Sequence, residues 1–361
     1  MRYSSIDVLR MVAIFVMVIV HFLENLSGIR NWSPDGFGAP LFTFLTGMSY
    51  RLWLSGQDAR QTSDSQISKI TVRRGLFLFG LGFVFNFFVW LPEDIFIWDV
   101  LTFIGVALMT LNVVRSFPAP LLITSILLSF AVSPVLQKLA DYPAYWTEGY
   151  FSYDQTLSDV LLGFLVTGYF PIFPWIGFPI TGFLVASAIF HRDGRPLPST
   201  APLIIAGLTL LTVSATTVVT GWYVPTLLTT AMFKGWSMFP ASLEYISGTL
   251  GMTILLFTCC HLVIDRSEHR SRGQGVLQVA STFSRHSLSI YLLHHVVHIW
   301  PLWIYGLWMN KETTYYWGKA FSYATSLSLA LLFIVSCYFF LRWIDRNRLP
   351  TMESVMRWVC D

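Results

Sequence analysis

The chain is poor in charge. Only 43 of its 361 residues are Lys, Arg, Asp or Glu, which is 12%, against roughly 25% in an ordinary soluble domain. Apolar residues make up 54% and aromatics 16%, and the mean hydropathy is +0.59. So few charges cannot cover the surface of a water-soluble globule of this size. That excludes a disordered protein, a soluble nucleic-acid binder and an ordinary cytosolic enzyme. The surplus apolar surface needs another solvent, and a lipid bilayer is the obvious one. A net charge of +3 is too small to argue for a polyanionic partner.

Cysteine is also scarce. Cys259, Cys260, Cys337 and Cys360 have no spacing that suits a disulfide framework or a zinc site, and they read as small buried hydrophobes. No small-residue cleavage site follows the first apolar run before Trp32, so that run is expected to be a retained membrane helix. Polar gaps never exceed about 20 residues, so residues 1–361 are expected to form a single integral-membrane domain. No internal repeat stands out.

What the chain does have is apolar runs of spanning length, about 20 residues each. Helices are expected near 6–26, 38–56, 71–91, 96–114, 118–137, 170–190, 201–221, 243–264, 283–306 and 319–342. The run Leu157 to Tyr169 is too short to cross alone and reads as an interfacial or re-entrant piece, or as an extension of the next helix. The fold class is therefore an all-α polytopic membrane bundle of about ten helices, or eleven if that run crosses by itself. With the N-terminus in the cytoplasm and ten alternating helices, 18 of the 23 Lys and Arg fall on the inner side. Arg30, Lys138, Lys234, Lys311 and Lys319 make up the outer five. This bias puts both termini in the cytoplasm.

Few polar residues remain inside spans. The first helix carries Asp7, Arg10 and His21 on one stripe, continued by Glu24 and Asn25. Arg10 and His21 are 11 residues apart, about three turns and roughly 16 Å along the axis. Arg10 reads either as a boundary residue snorkelling beside Asp7 or as part of a site. His21 lies deep in the helix, where it serves either as a helix–helix hydrogen bond or as a general base. In the ninth helix Ser284, Ser287, Tyr291, His294 and His298 recur at spacings of 3, 4, 3 and 4 and form a second polar stripe. His294 and His298 also match metal-ligand spacing, but no Cys or carboxylate motif accompanies them, and no metal is expected. Lys69, Arg73 and Arg74 open the third helix, either as a positive-inside anchor or as a seat for phosphates. The Pro/Gly-interrupted GYFPIFPWIGFPITGF suits backbone lining a cavity. The loop DYPAYWTEGYFSYD suits an aromatic belt or a stacked sugar ring.

SIDVLRMVAIFVMVIVH, APLFTFLTGMS, VRRGLFLFGLG, FPIFPWIGFPITGF and HSLSIYLLHH, in that order, resemble segments of the transmembrane acyltransferase superfamily. That superfamily includes the acyltransferase 3 proteins and the catalytic domain of heparan-alpha-glucosaminide N-acetyltransferase, whose bacterial relatives the later segments are most similar to. The resemblance implies transfer of an acyl group, acetyl above all, from cytoplasmic acyl-CoA to a carbohydrate or other small acceptor outside a bacterial inner membrane. In the heparan branch the catalytic His lies in the loop after the first helix. Ser27 to Phe37 holds no His here, so on the acyltransferase 3 pattern the role carries over to His21. The expected site is then His21 as base, Asp7 holding Arg10, Tyr291 and His294 near the thioester, and Lys69, Arg73 and Arg74 on the donor phosphates. The oligomeric state stays open, a homo-oligomer included. The competing reading is a multi-helix transporter or flippase without acyl transfer, and a purely structural membrane subunit ranks last.

Overall fold

The computed structural model describes residues 3–29, 36–90, 94–147, 149–190, 198–223, 235–266 and 274–361. Of the charges used for the topology, Arg2, Arg30, Arg192, Arg195, Lys234, Arg270 and Arg272 lie outside the described residues. The architecture is all-α and polytopic, and the described strands are one two-residue hairpin, Trp146–Thr147 against Tyr150–Phe151. Seven helical stretches among the described residues are long and apolar enough to cross a membrane: Ser4–Ser27, Asp64–Val89, Ala119–Leu139, Leu157–Ile189, Ala201–Thr220, Leu243–Asp265 and Tyr323–Asn347. The expected helix at 96–114 is apolar but short, Val100–Val114. Those at 38–56 and 283–306 are long enough, but Arg51, Gln57 and Asp58 in one and three His in the other lower their hydropathy.

The chain divides into two compact units. The first runs essentially from Pro40 to Cys259. It contains most of α2 (Gly38–Ala59), then α3 (Asp64–Val89), α4 (Val100–Val114), α5 (Ala119–Leu139), α6 (Leu157–Leu162), α7 (Ile172–Trp175), α8 (Gly177–Ile189), α9 (Ala201–Tyr223) and α10 (Leu243–Cys260). Caps set several boundaries. The Ser63 side chain accepts from Gln66 N–H, so α3 begins seven residues before its expected start. Asp99 likewise accepts from Val100 N–H and starts α4 there. The expected span 170–190 is broken into α7 and α8, as its Pro and Gly content implies. The run Leu157 to Tyr169 becomes α6 followed by a π-turn, Gly163–Thr167. In α8, Gly182 sits so close to α2 that a Cβ there would lie 1.9 Å from the Phe44 carbonyl oxygen, so only glycine allows this approach.

The loop after α5 is a folded piece in its own right. Trp146 donates to the Thr167 carbonyl at 2.8 Å and stacks on Phe239, and Phe151 joins Ile97 and Trp98 in a buried aromatic cluster. Burial pushes the Tyr142 phenol upward from its ordinary value. Its aromatic side chains thus pack largely on one another.

The second unit comprises Tyr3–Ala39 and Cys260–Val359. Its helices are α1 (Ser4–Ser27), α11 (Gln274–Arg285), α12 (Ser287–Trp308), α13 (Tyr323–Asn347) and α14 (Met352–Cys360), with a π-turn at His261–Asp265. Here α1 packs against α11, α12 and α13 through Ile6, Leu9, Ala13, Ile14, Val18 and Phe22. Phe15 meets Phe283 edge-on at 4.9 Å. The expected helix 283–306 is two helices, because the chain leaves helical geometry at His286 and α12 starts at Ser287. Glu353 fixes that start, accepting from the backbone N–H groups of Leu288 and Ser289 at 2.8 and 3.0 Å. The last long helix begins at Tyr323 instead of 319, because Ser322 accepts from Thr325 N–H.

Candidate active site

The side chains that stand out in sequence meet on α1 and α12. Both ends of α1 are pinned, which sets its axial position. At the N-terminal end the backbone N–H of Ser5 donates to Asp265 at 3.2 Å, and its hydroxyl donates to the same carboxylate. His261 Nδ1 donates to Asp265 at 2.9 Å. At the C-terminal end the chain turns at Gly28, with φ +70°, against Gly318. Gly318 N–H donates to Asn25 O at 2.8 Å, and Phe321 N–H donates to Leu26 O at 2.9 Å. Between these anchors Arg10 donates to the Ser284 hydroxyl at 3.0 Å.

Held in this way, His21 faces α12, and its Nδ1 is 2.9 Å from His294 Nε2. The two rings stack with centroids 5.2 Å apart, and His295 lies 4.6 Å from His21 by the same measure. His294 and His295 are fully buried, whereas His21 is only half-buried. One turn on, Asn25 Nδ2 is 2.9 Å from His298 Nε2. Tyr291 is buried beside the group, 5.7 Å from His294 and 5.3 Å from His295 between centroids.

The hydrogen bonds assign the tautomers. His294 Nδ1 lies 3.0 Å from the Ile290 carbonyl, which can only accept, so Nδ1 carries the proton and Nε2 presents a lone pair. His21 Nδ1 must then donate to that lone pair. In the neutral ring this leaves the basic site of His21 on Nε2. His295 and His298 donate from Nδ1 to the carbonyls of Tyr291 and His294 in the same way, so Asn25 is the donor to His298 Nε2.

The expected residues divide between the two units. His21, Arg10, Asp7, Tyr291 and His294 all belong to the second. Asp7 is buried in the first turn of α1. Ser284, expected on the helix of His294, ends the preceding helix instead and serves Arg10. Lys69, Arg73 and Arg74 belong to the first unit. Lys69 and Arg73 are exposed on α3, and the Arg74 guanidinium lies over the Trp53 ring at 5.1 Å.

Two groups escaped the sequence reading. His295 is visible as the second member of a His-His pair, but the 3-4 stripe skips it. His261 and Asp265 are an i, i+4 pair within HLVID, and their connection to Ser5 spans 260 residues. Asp265→Ala should remove the acceptor for two Ser5 donors and for His261, at a cost of about 3 kcal/mol. The check is thermal unfolding in detergent. The midpoint should fall clearly for Asp265→Ala and less for Asp265→Asn, which keeps an acceptor.

The family model described as heparan-alpha-glucosaminide N-acetyltransferase, catalytic, matches residues 2–215, more than half of the chain. No curated protein matches the chain. The matched stretch holds Arg10, His21 and the Lys69–Arg74 cluster, whereas α11 to α14 lie beyond it.

Proposed function

Because the chain belongs to the heparan-alpha-glucosaminide N-acetyltransferase catalytic family, we propose that it moves an acetyl group from cytoplasmic acetyl-CoA to a sugar or glycan acceptor at the outer face of a bacterial inner membrane. The family supports membrane acetyltransferase activity in general. The donor side, the acceptor class and the residue roles are our reading. Ten crossings with both termini inside fit the distribution of Lys and Arg.

The observation that carries the reading is the hydrogen bond from His21 to His294. It orients the imidazole and leaves Nε2 as the base, in the manner of a base held by a third group. An acceptor hydroxyl or amine attacks the thioester carbonyl carbon while His21 Nε2 takes its proton. The new C–O or C–N bond gives a tetrahedral intermediate. The C–S bond then breaks, and the CoA sulfur leaves with the proton returned by His21. No acyl-enzyme is needed. The imidazolium formed midway keeps its Nδ1–H on His294. Tyr291 polarises the carbonyl oxygen, and Arg10, with Asp7 in the turn before it, supports the inner end of the same helix. We assign the donor phosphates to Lys69, Arg73 and Arg74, of which the Arg74 guanidinium lies over the Trp53 ring.

The test is the purified full chain with labelled acetyl-CoA and a panel of amino sugars and neutral sugars. Label should move into an acceptor, and CoA should raise the unfolding temperature, since a ligand bound only by the folded state stabilises it. A chain that CoA does not stabilise and that transfers no label overturns the reading in favour of a transporter.

A further inference from the structure

We propose that His21, His294 and His295 form a binding site for a divalent transition-metal ion of the zinc type, held by three neutral imidazoles. The three rings offer ligand atoms that all lie within 4.8 Å of one another. They come from two helices whose relative position is set by the anchors on α1. Two rings are already oriented as ligands. His294 and His295 donate Nδ1–H to the carbonyls of Ile290 and Tyr291, one turn back. That is the second hydrogen bond by which a metal-bound imidazole is held with its other nitrogen toward the ion.

The three rings must adjust, since ligand atoms up to 4.8 Å apart have to close to the spacing of one coordination shell. Ligand nitrogens about 2.0–2.1 Å from a tetrahedral ion are roughly 3.3 Å apart. His21 Nδ1 and His294 Nε2 start at 2.9 Å, so they must open by a few tenths of an ångström. For His21 to ligate through Nδ1, its proton moves to Nε2, a tautomer change without change of charge. The donor set also sets the preference. Imidazoles alone favour Zn2+, Ni2+ or Cu2+ over Mg2+ or Ca2+, which need oxygen ligands. A dication among neutral ligands in an apolar bundle is costly unless an anion joins it. Hydroxide from a bound water as the fourth ligand would lower the net charge by one. His298, which sequence spacing pairs with His294, is not a ligand, because Asn25 occupies its Nε2.

This inference does not rest on acetyl transfer, but it bears on it. The metal and the reaction compete for His21, so Zn2+ should inhibit transfer. The experiment is metal uptake by the full chain in detergent, equilibrated with ZnCl2 and dialysed against metal-free buffer. The wild type should keep one Zn2+ per chain in the presence of excess Mg2+. His294→Ala and His295→Gln should each bind Zn2+ at least about tenfold more weakly. His286→Ala, outside both the trio and the anchors on α1, should keep it. Co2+ in the wild type should give the visible bands of a tetrahedral site, a readout that needs no variant. A wild type that retains no Zn2+, trio variants that bind as well as wild type, or Co2+ without those bands overturns the proposal. Zn2+ uptake by a chain that transfers no acetyl group even when stripped of metal supports the metal site and counts only against the enzymatic reading.

Discussion

His21→Ala should lower the turnover of acetyl transfer by about 10²–10⁴-fold, the usual contribution of a positioned general base. The loss should fall on kcat, with KM for acetyl-CoA within about twofold, since in the proposed arrangement CoA phosphates are held by Lys69, Arg73 and Arg74. Alanine also leaves a gap beside His294, so a second variant separates chemistry from folding. The amide of His21→Gln can still donate to His294 Nε2, but it cannot take a proton. It should fold more stably than His21→Ala and be just as inactive. If either variant retains more than a tenth of wild-type turnover, His21 is not the base.

How much of this could be read in advance depends on the range of the interaction. The spans followed from apolar runs, because burial of backbone in lipid leaves few alternatives to a helix. The first helix was expected at 6–26 and is found at Ser4–Ser27. Boundaries set by a single side chain were less legible. Ser63 draws a polar turn into α3, and Asp99 delays α4, and neither cap is apolar. The break at His286 was invisible because nothing in the sequence Arg285, His286, Ser287 marks it. It depends on Glu353, which reaches the start of α12 from more than 60 residues away. The candidate site shows the same division. The polar stripes on α1 and α12 were legible as periodicity, and so were His21 and His294 within them. Their meeting was not, because it depends on axial register, and the residues that set it, Asp265 at the end of an apolar stretch and Gly318 in a turn, take part in no polar stripe. The periodic reading also chose His298 over His295, since a 3-4 stripe marks one face of a single helix and not the rings that a second helix meets.

His294→Phe should reduce kcat by about 10- to 10²-fold with little change in KM. His294 does not touch the reacting atoms in this scheme. It acts through His21, as a positioning residue, by accepting from Nδ1. Removing that acceptor leaves a buried donor unpaired, a penalty of about 1–3 kcal/mol. The penalty is larger once His21 becomes an imidazolium, because hydrogen bonds to charged groups are the stronger ones. At 1.36 kcal/mol per tenfold in rate, this corresponds to the loss stated. His294→Gln, whose carbonyl oxygen extends about as far as Nε2, should recover a good part of it. The decisive measurement is the double variant. If His294 works only through His21, then His21→Ala with His294→Phe should be no slower than His21→Ala alone, a strongly non-additive cycle. Independent roles would make the two losses multiply, and in that case His294 acts on the substrate or on the fold and the relay from Ile290 through His294 to His21 fails as an account of the base.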